Sequence, residues 1–267
     1  MIRNGISGLV IMVWLIAALF GSMMGLTPYE IDLPSILKAP NAEAWLGYDD
    51  LGRPIFDRLV EGANVSFTVA ITVVFISSVV GTLIGTIAGY IGGWFDHLIV
   101  RVIDVLLAFP GILLAIALAG VMGPGLENVV IALSVVGWVG FARLARAQVL
   151  SIKHRDHVVA ASALGSSQST IVLRHLIPLI LAPLMIEATF GIASVILAEA
   201  GLSFLGLGVQ PPAASWGNMV RDGTRYMLVA PHMVLMPGLA IMFVVLAVNL
   251  LGDRLRDRFD VRIKDEG

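Results

Sequence analysis

The stretch DHVVAASALGSSQSTIVLRHLIP, residues 156–178, is a polar interruption between two long apolar runs. From Asp156 onward it carries a short helical pattern: His157, Ala160, Ala161 and Leu164 fall at i, i+3, i+4 and i+7, one face of a helix. That face is small and apolar, so the backbone of another protein could approach it closely. Gly165 stops the pattern, as glycine does just past a helix C-terminus. A Ser/Gln/Thr run follows, and Ile177-Pro178 leads back into apolar sequence. The expectation is a short helix that docks onto a soluble partner, weighed against an ordinary loop between two membrane helices.

The surroundings place this stretch at a membrane. The chain has 267 residues, of which 58% are hydrophobic and 13% charged. Its mean hydropathy is +0.92. Soluble domains are about half apolar and about a quarter charged, so the composition is that of an integral membrane protein. No long polar block interrupts the apolar segments, so residues 1–267 read as one transmembrane domain. Its parts are a first helix and outer loop (1–65), a core bundle (66–252) with the interrupting loop at 153–175, and a charged tail (253–267). A net charge of −2 argues against nucleic acid. Without cysteine there is no disulfide or thiolate metal site.

Six segments approach the roughly 20 residues that cross about 30 Å of hydrocarbon. They lie near 6–26, 66–91, 98–122, 128–149, 176–200 and 232–252. The first has no convincing cleavage site and reads as an uncleaved anchor. An even number of spans puts both termini on one side. With both termini inside, Lys38, Arg53, Arg58, Arg221 and Arg225 are outside, and the remaining twelve of the 17 Lys and Arg are cytoplasmic. The positive-inside rule supports that orientation.

The first outer loop, 27–65, is acidic, and DDLGRPIFDRLVEGA within it predicts a short amphipathic helix with Ile55, Leu59 and Phe56 on one side. The second outer region, EAGLSFLGLGVQPPAASWGNMV, is rich in glycine and proline yet too apolar for a free loop. It predicts a re-entrant or interfacial scoop with Trp216 at headgroup level. Gly81, Gly85 and Gly89 recur every four residues, the spacing that lets two membrane helices touch backbone to backbone, within the chain or at a subunit interface. Arg101 and Asp104 are i, i+3 neighbours that could pair, and Pro110 should kink its helix. Glu187 sits amid an apolar run; a carboxylate at that depth lines a pathway or is held structurally.

Catalytic patterns are absent from the sequence. It has no Walker-type loop, no G-x-S-x-G and no H-E-x-x-H. His154 and His157 lack a third nearby ligand for a metal. No internal repeat of the kind seen in secondary transporters is evident, which leaves an ion-coupled carrier as a remote alternative based on Glu187.

Ala160-Ala161, three residues, Gly165, then twelve residues to Pro178 match the spacing of the "EAA" loop of ABC importer permeases, and the chain resembles that family. It departs from the pattern at Val159, where the family has glutamate, at His175, where it has isoleucine, and at Ile177, where it has leucine. LGYDDLGRPIFDRL, RVIDVLLAFPG, LSFLGLGVQPPAASWGNM and NLLGDRLRDRFD resemble the second permease of dipeptide, oligopeptide and nickel importers. The resemblance implies an all-α type I importer permease of about six membrane helices, with Asp156, His157, Ala160, Ala161, Leu164 and Gly165 forming a cytoplasmic coupling helix. It further implies a second homologous permease, two ATPase subunits that carry ATP and magnesium, and an extracytoplasmic solute-binding protein. This chain would hold no cofactor and catalyse nothing. Its cargo would be peptide, with nickel or a nickel chelate as the alternative.

Overall fold

The computed structural model describes the backbone of residues 2–264 and the side chains of residues 5–259. The side chains of Arg3, Arg262 and Lys264, used above to set orientation, lie outside the described residues. The chain forms α1 (Ile2–Phe20), α2 (Ile55–Ile91), α3 (Gly93–Leu107), α4 (Gly111–Met122), α5 (Leu126–Ile152), the short α6 (Asp156–Ala163) and the one-turn α7 (Gln168–Thr170). A π-helical stretch, Ile171–Leu176, then leads into α8 (Ile177–Phe204), followed by α9 (Trp216–Thr224) and α10 (His232–Lys264). Among the described residues, 5 helices are long and apolar enough to cross a membrane, or 6 if the bent pair α3 and α4 counts as one span.

Several boundaries differ from the sequence expectation, each for a local reason. The amphipathic segment of the first outer loop is no separate helix. From Ile55 it forms the first turns of α2, whose 37 residues at 1.5 Å each span about 55 Å, well beyond the hydrocarbon. The expected third span is broken rather than kinked: α3 and α4 meet at 84°. Pro110 cannot donate a helical hydrogen bond and pushes Phe109 away from helical backbone, so α3 ends at Leu107 and α4 restarts at Gly111. The π-helical stretch closes with the Ile177 N–H donating to the Val172 carbonyl, directly before Pro178, which has no N–H to offer. The charged tail after Gly252 continues α10 as helix to Lys264.

The seam between α2 and α5 organises the bundle. Gly81, Gly85 and Gly89 are all buried and face α5. A Cβ on Gly81 would run into the Trp138 carbonyl oxygen, and one on Gly85 into that of Ala142. On Gly89 it would lie 3.0 Å from the Arg146 carbonyl oxygen. The glycines advance by four residues along α2 as 138, 142 and 146 advance along α5, so the two helices run parallel with their backbones in contact. This stripe therefore packs the chain on itself. At one end of the seam, Arg146 on α5 pairs with Asp96 on α3, its Nη2 donating to Oδ2 at 2.7 Å, and Lys153 donates to the Gly89 carbonyl at 3.0 Å. Among the described residues Arg101 and Asp104, the pair expected from sequence, form no ion pair with each other, and both are exposed.

Candidate docking surface and membrane cavity

Residues 153–167 show how a loop can present a helix rigidly. Arg155 precedes α6 in extended backbone. At the other end the Ser166 N–H donates to the Ala161 carbonyl and the Gly165 N–H to that of Ser162, the paired bonds of a Schellman cap. Gly165 has φ +82°, and a Cβ there would meet nothing within 4 Å, so glycine is needed for its backbone angle and not for space. Val158 (2% exposed) and Ala161 (8%) are buried. They pack with Val149 and Ile152 of α5 and with Ile171, Val172 and Leu176 of the π-helical stretch.

This packing divides the face inferred from periodicity. His157 and Ala160 are exposed, as are Asp156 and Gly165. Leu164 is 87% exposed at the cap. Ala161 points inward and cannot itself enter a partner's cleft. Val159, which the sequence pattern left off the face, is 51% exposed. The surface left for a partner is thus Leu164 and Val159 with His157 and Ala160 around them. Beside it runs a groove of about 570 Å³ that includes Tyr90, Ile91, Lys153, His154 and Gln168.

Glu187 lines a second feature, a cavity of about 350 Å³ between α2, α5 and α8 that also includes Val73, Ser77, Phe141, Phe190 and Ser194. Twelve residues further along α8 is a carboxylate that the sequence reading passed over. Glu199 is 1% exposed. Its Oε1 accepts from Ser203 Oγ at 2.7 Å and its Oε2 from Ser66 Oγ at 3.4 Å. The i, i+4 spacing of Glu199 and Ser203 was visible in the sequence; the contribution of Ser66 from α2 was not.

The chain matches, over residues 81–265, the family described as "Binding-protein-dependent transport system inner membrane component". A glutathione transport system permease protein, GsiD, of Shigella flexneri serotype 5b is 44% identical over 262 residues, covering 97% of this chain and 86% of that protein. A dipeptide transport system permease protein, DppC, of Alkalihalophilus pseudofirmus is 43% identical over 264 residues, covering 98% and 87%. The chain belongs to this permease family. Its fold is also that of a solved structure. An inward-facing structure of the MetNI methionine ABC transporter aligns with TM-score 0.61 at 20% identity, covering 76% of this chain and 97% of that one. The chain is accordingly a multi-pass inner-membrane permease subunit of an ABC importer.

Within this permease the loop between α1 and α2 is folded into a cap that buries charge. Asp49, Arg53 and Arg58 are buried. Arg53 Nε donates to Asp49 Oδ2 at 2.7 Å, Arg58 Nε lies 3.3 Å from the same oxygen, and Arg58 Nη1 reaches the Pro212 carbonyl at 3.5 Å. Burial and the adjacent Asp49 carboxylate push the Asp50 carboxyl up from its usual range. Tyr29, hydrogen-bonded to Glu61, has its phenol pushed up to about 12. Trp216 does not sit at a headgroup surface: it is buried, packs against Gly62, and donates to the Leu59 carbonyl at 2.9 Å. The scoop expected between α8 and α10 is thus docked onto the N-terminal end of α2. A capping box between Ser215 and Asn218 starts its helix, α9.

Proposed function

We propose that this permease forms half of the translocation pathway of a peptide importer and that α6 is its coupling contact with an ATPase subunit. The observation that carries the coupling role is the division of α6: one side is fixed into the chain's own core while Leu164 and Val159 stand bare beside a groove. A helix anchored in this way transmits displacement instead of absorbing it, and large exposed apolar side chains at a rigid tip mark a surface built to be covered. Val159 in place of the family's glutamate replaces a polar contact by an apolar one.

The working unit comprises this chain, a second homologous permease, two ATPase subunits that bind ATP and magnesium, and an extracytoplasmic solute-binding protein. Hydrolysis occurs on the ATPase subunits, and this chain contributes no catalytic residue. Closure of the ATPase pair biases the permeases between inward-open and outward-open arrangements. Both termini are cytoplasmic. Peptide cargo is favoured over nickel by the dipeptide and glutathione relatives.

Leu164→Asp tests the coupling contact. It places a charge where an apolar knob should be covered, without touching the buried Val158 and Ala161. The expected outcome is loss of ATPase co-purification, or cargo-stimulated ATP hydrolysis reduced about tenfold or more, as for a central interface residue. Wild-type assembly and stimulated hydrolysis would overturn the assignment.

A further inference from the structure

Glu187 makes no hydrogen bond or ion pair among the described residues, although it sits in the apolar run of α8 and is half-buried. Such a carboxylate is costly at membrane depth. The same helix saturates its other carboxylate, Glu199, with serine hydroxyls. What surrounds Glu187 is instead the cavity of about 350 Å³, within the size range of small-molecule sites. A second polar group there is also unfilled: Ser77 is buried and its Oγ has no hydrogen-bond partner. Ser194, exposed on the α8 side of the cavity, adds a further hydroxyl.

A negative acceptor and two hydroxyls set among Val73, Phe141 and Phe190 define the chemistry of an occupant. It must be cationic, donate several hydrogen bonds and carry apolar flanks. A primary ammonium has three N–H donors and a compact charge, and three acceptors are offered. A divalent metal fits poorly, since hard cations need six or more oxygen ligands and no group of three His, Cys, Asp or Glu among the described residues could hold one. We propose that the cavity receives the primary ammonium group of the cargo, the amino terminus of a peptide, with Glu187 as its counter-ion. This rests on the importer reading above and adds to it the part of the cargo that the membrane segment recognises.

The absence of cysteine from this chain permits a direct test. Ser194→Cys is introduced, the complex with its partners is placed in liposomes, and mass added to this chain is followed with two thiosulfonate reagents. One carries a trimethylammonium and the other a sulfonate. The cationic reagent should react about tenfold faster or more, because a charged cleft with low-dielectric walls concentrates its counter-ion, and Glu187→Gln should abolish the preference. Excess alanyl-alanine should slow the cationic reagent, and N-acetyl-alanyl-alanine should not. Equal rates for the two reagents would mean a protonated carboxylate, or one paired with a cation of the second permease, and would overturn the proposal. So would failure of both reagents to react, or equal protection by the two peptides. Should Ser194→Cys not assemble, Phe190→Cys in the same cavity takes its place. Failure of the coupling role reads differently: the charge preference would persist, but ATP would no longer change either rate.

Discussion

Glu187 and Glu199 occupy one helix, about 18 Å apart along its axis, and their environments assign them different work. Glu199 is enclosed, with Ser203 and Ser66 donating to it. Glu199→Ala would leave those hydroxyls without their acceptor and open a void, at a cost of about 2–4 kcal/mol. Glu199→Gln keeps the volume and one acceptor and should cost about 1 kcal/mol. Thermal unfolding of the purified permease should therefore shift down clearly for the alanine variant and slightly for the glutamine variant; an alanine variant as stable as wild type would contradict the structural role. Sequence alone singled out Glu187, because an acid amid apolar residues is conspicuous. Glu199 escaped notice because it stands where the run gives way to glycine-rich sequence, and because part of its support comes from Ser66, 133 residues away.

At the scale of elements, periodicity was most informative where one backbone touches another. The four-residue spacing of Gly81, Gly85 and Gly89 was legible, and only the partner helix had to come from the structure. Gly85→Ala is already enough to test it. The added Cβ would run into the Ala142 carbonyl oxygen and lie 2.8 Å from its carbonyl carbon, an overpacking expected to cost about 1–3 kcal/mol. Ala142→Gly should give no rescue, since the obstruction is backbone. Gly120→Ala, on α4 where a Cβ would meet nothing within 4 Å, should leave folding intact. Yield and thermal midpoint of the three variants decide the matter; a stable Gly85→Ala would show that the seam is looser than described. The α6 face was half legible. Spacing identified the helix and its glycine stop, but a helix of two turns buries one side whichever face the pattern suggests. The choice between Ala161 and Leu164 depended on where α5 and the π-helical stretch pass beneath it. The break at Pro110 was legible as a weak point, while its 84° bend depends on tertiary packing.

For the whole molecule, hydropathy located the long apolar helices, 5 of them or 6 if α3 and α4 count as one span, because lipid leaves the backbone few alternatives to helix. It did not give the cap at the N-terminal end of α2. The first acidic loop reads from sequence as a short amphipathic helix, yet Asp49 pairs with both Arg53 and Arg58 in a buried cluster, Asp50 lies 3.8 Å from Arg53, and Arg58 also reaches the Pro212 carbonyl. Trp216 closes the same cap from the other loop. Pairings across such sequence separations carry no local periodicity. The outcome is a permease with a consolidated cap at one end of the bundle and, on a separate polar loop, a short helix fixed by its buried side. The coupling contact proposed for this helix sets Leu164 and Val159 against an ATPase subunit. Single cysteines at positions 158, 159, 161 and 164, introduced into this cysteine-free chain and carrying a short photo-reactive label, can be scanned in the assembled complex. Crosslinks to the ATPase subunit from Leu164→Cys and Val159→Cys, with Val158→Cys and Ala161→Cys silent, are the predicted result. Crosslinks from positions 158 and 161 with 159 and 164 silent, or from none of the four, would contradict it.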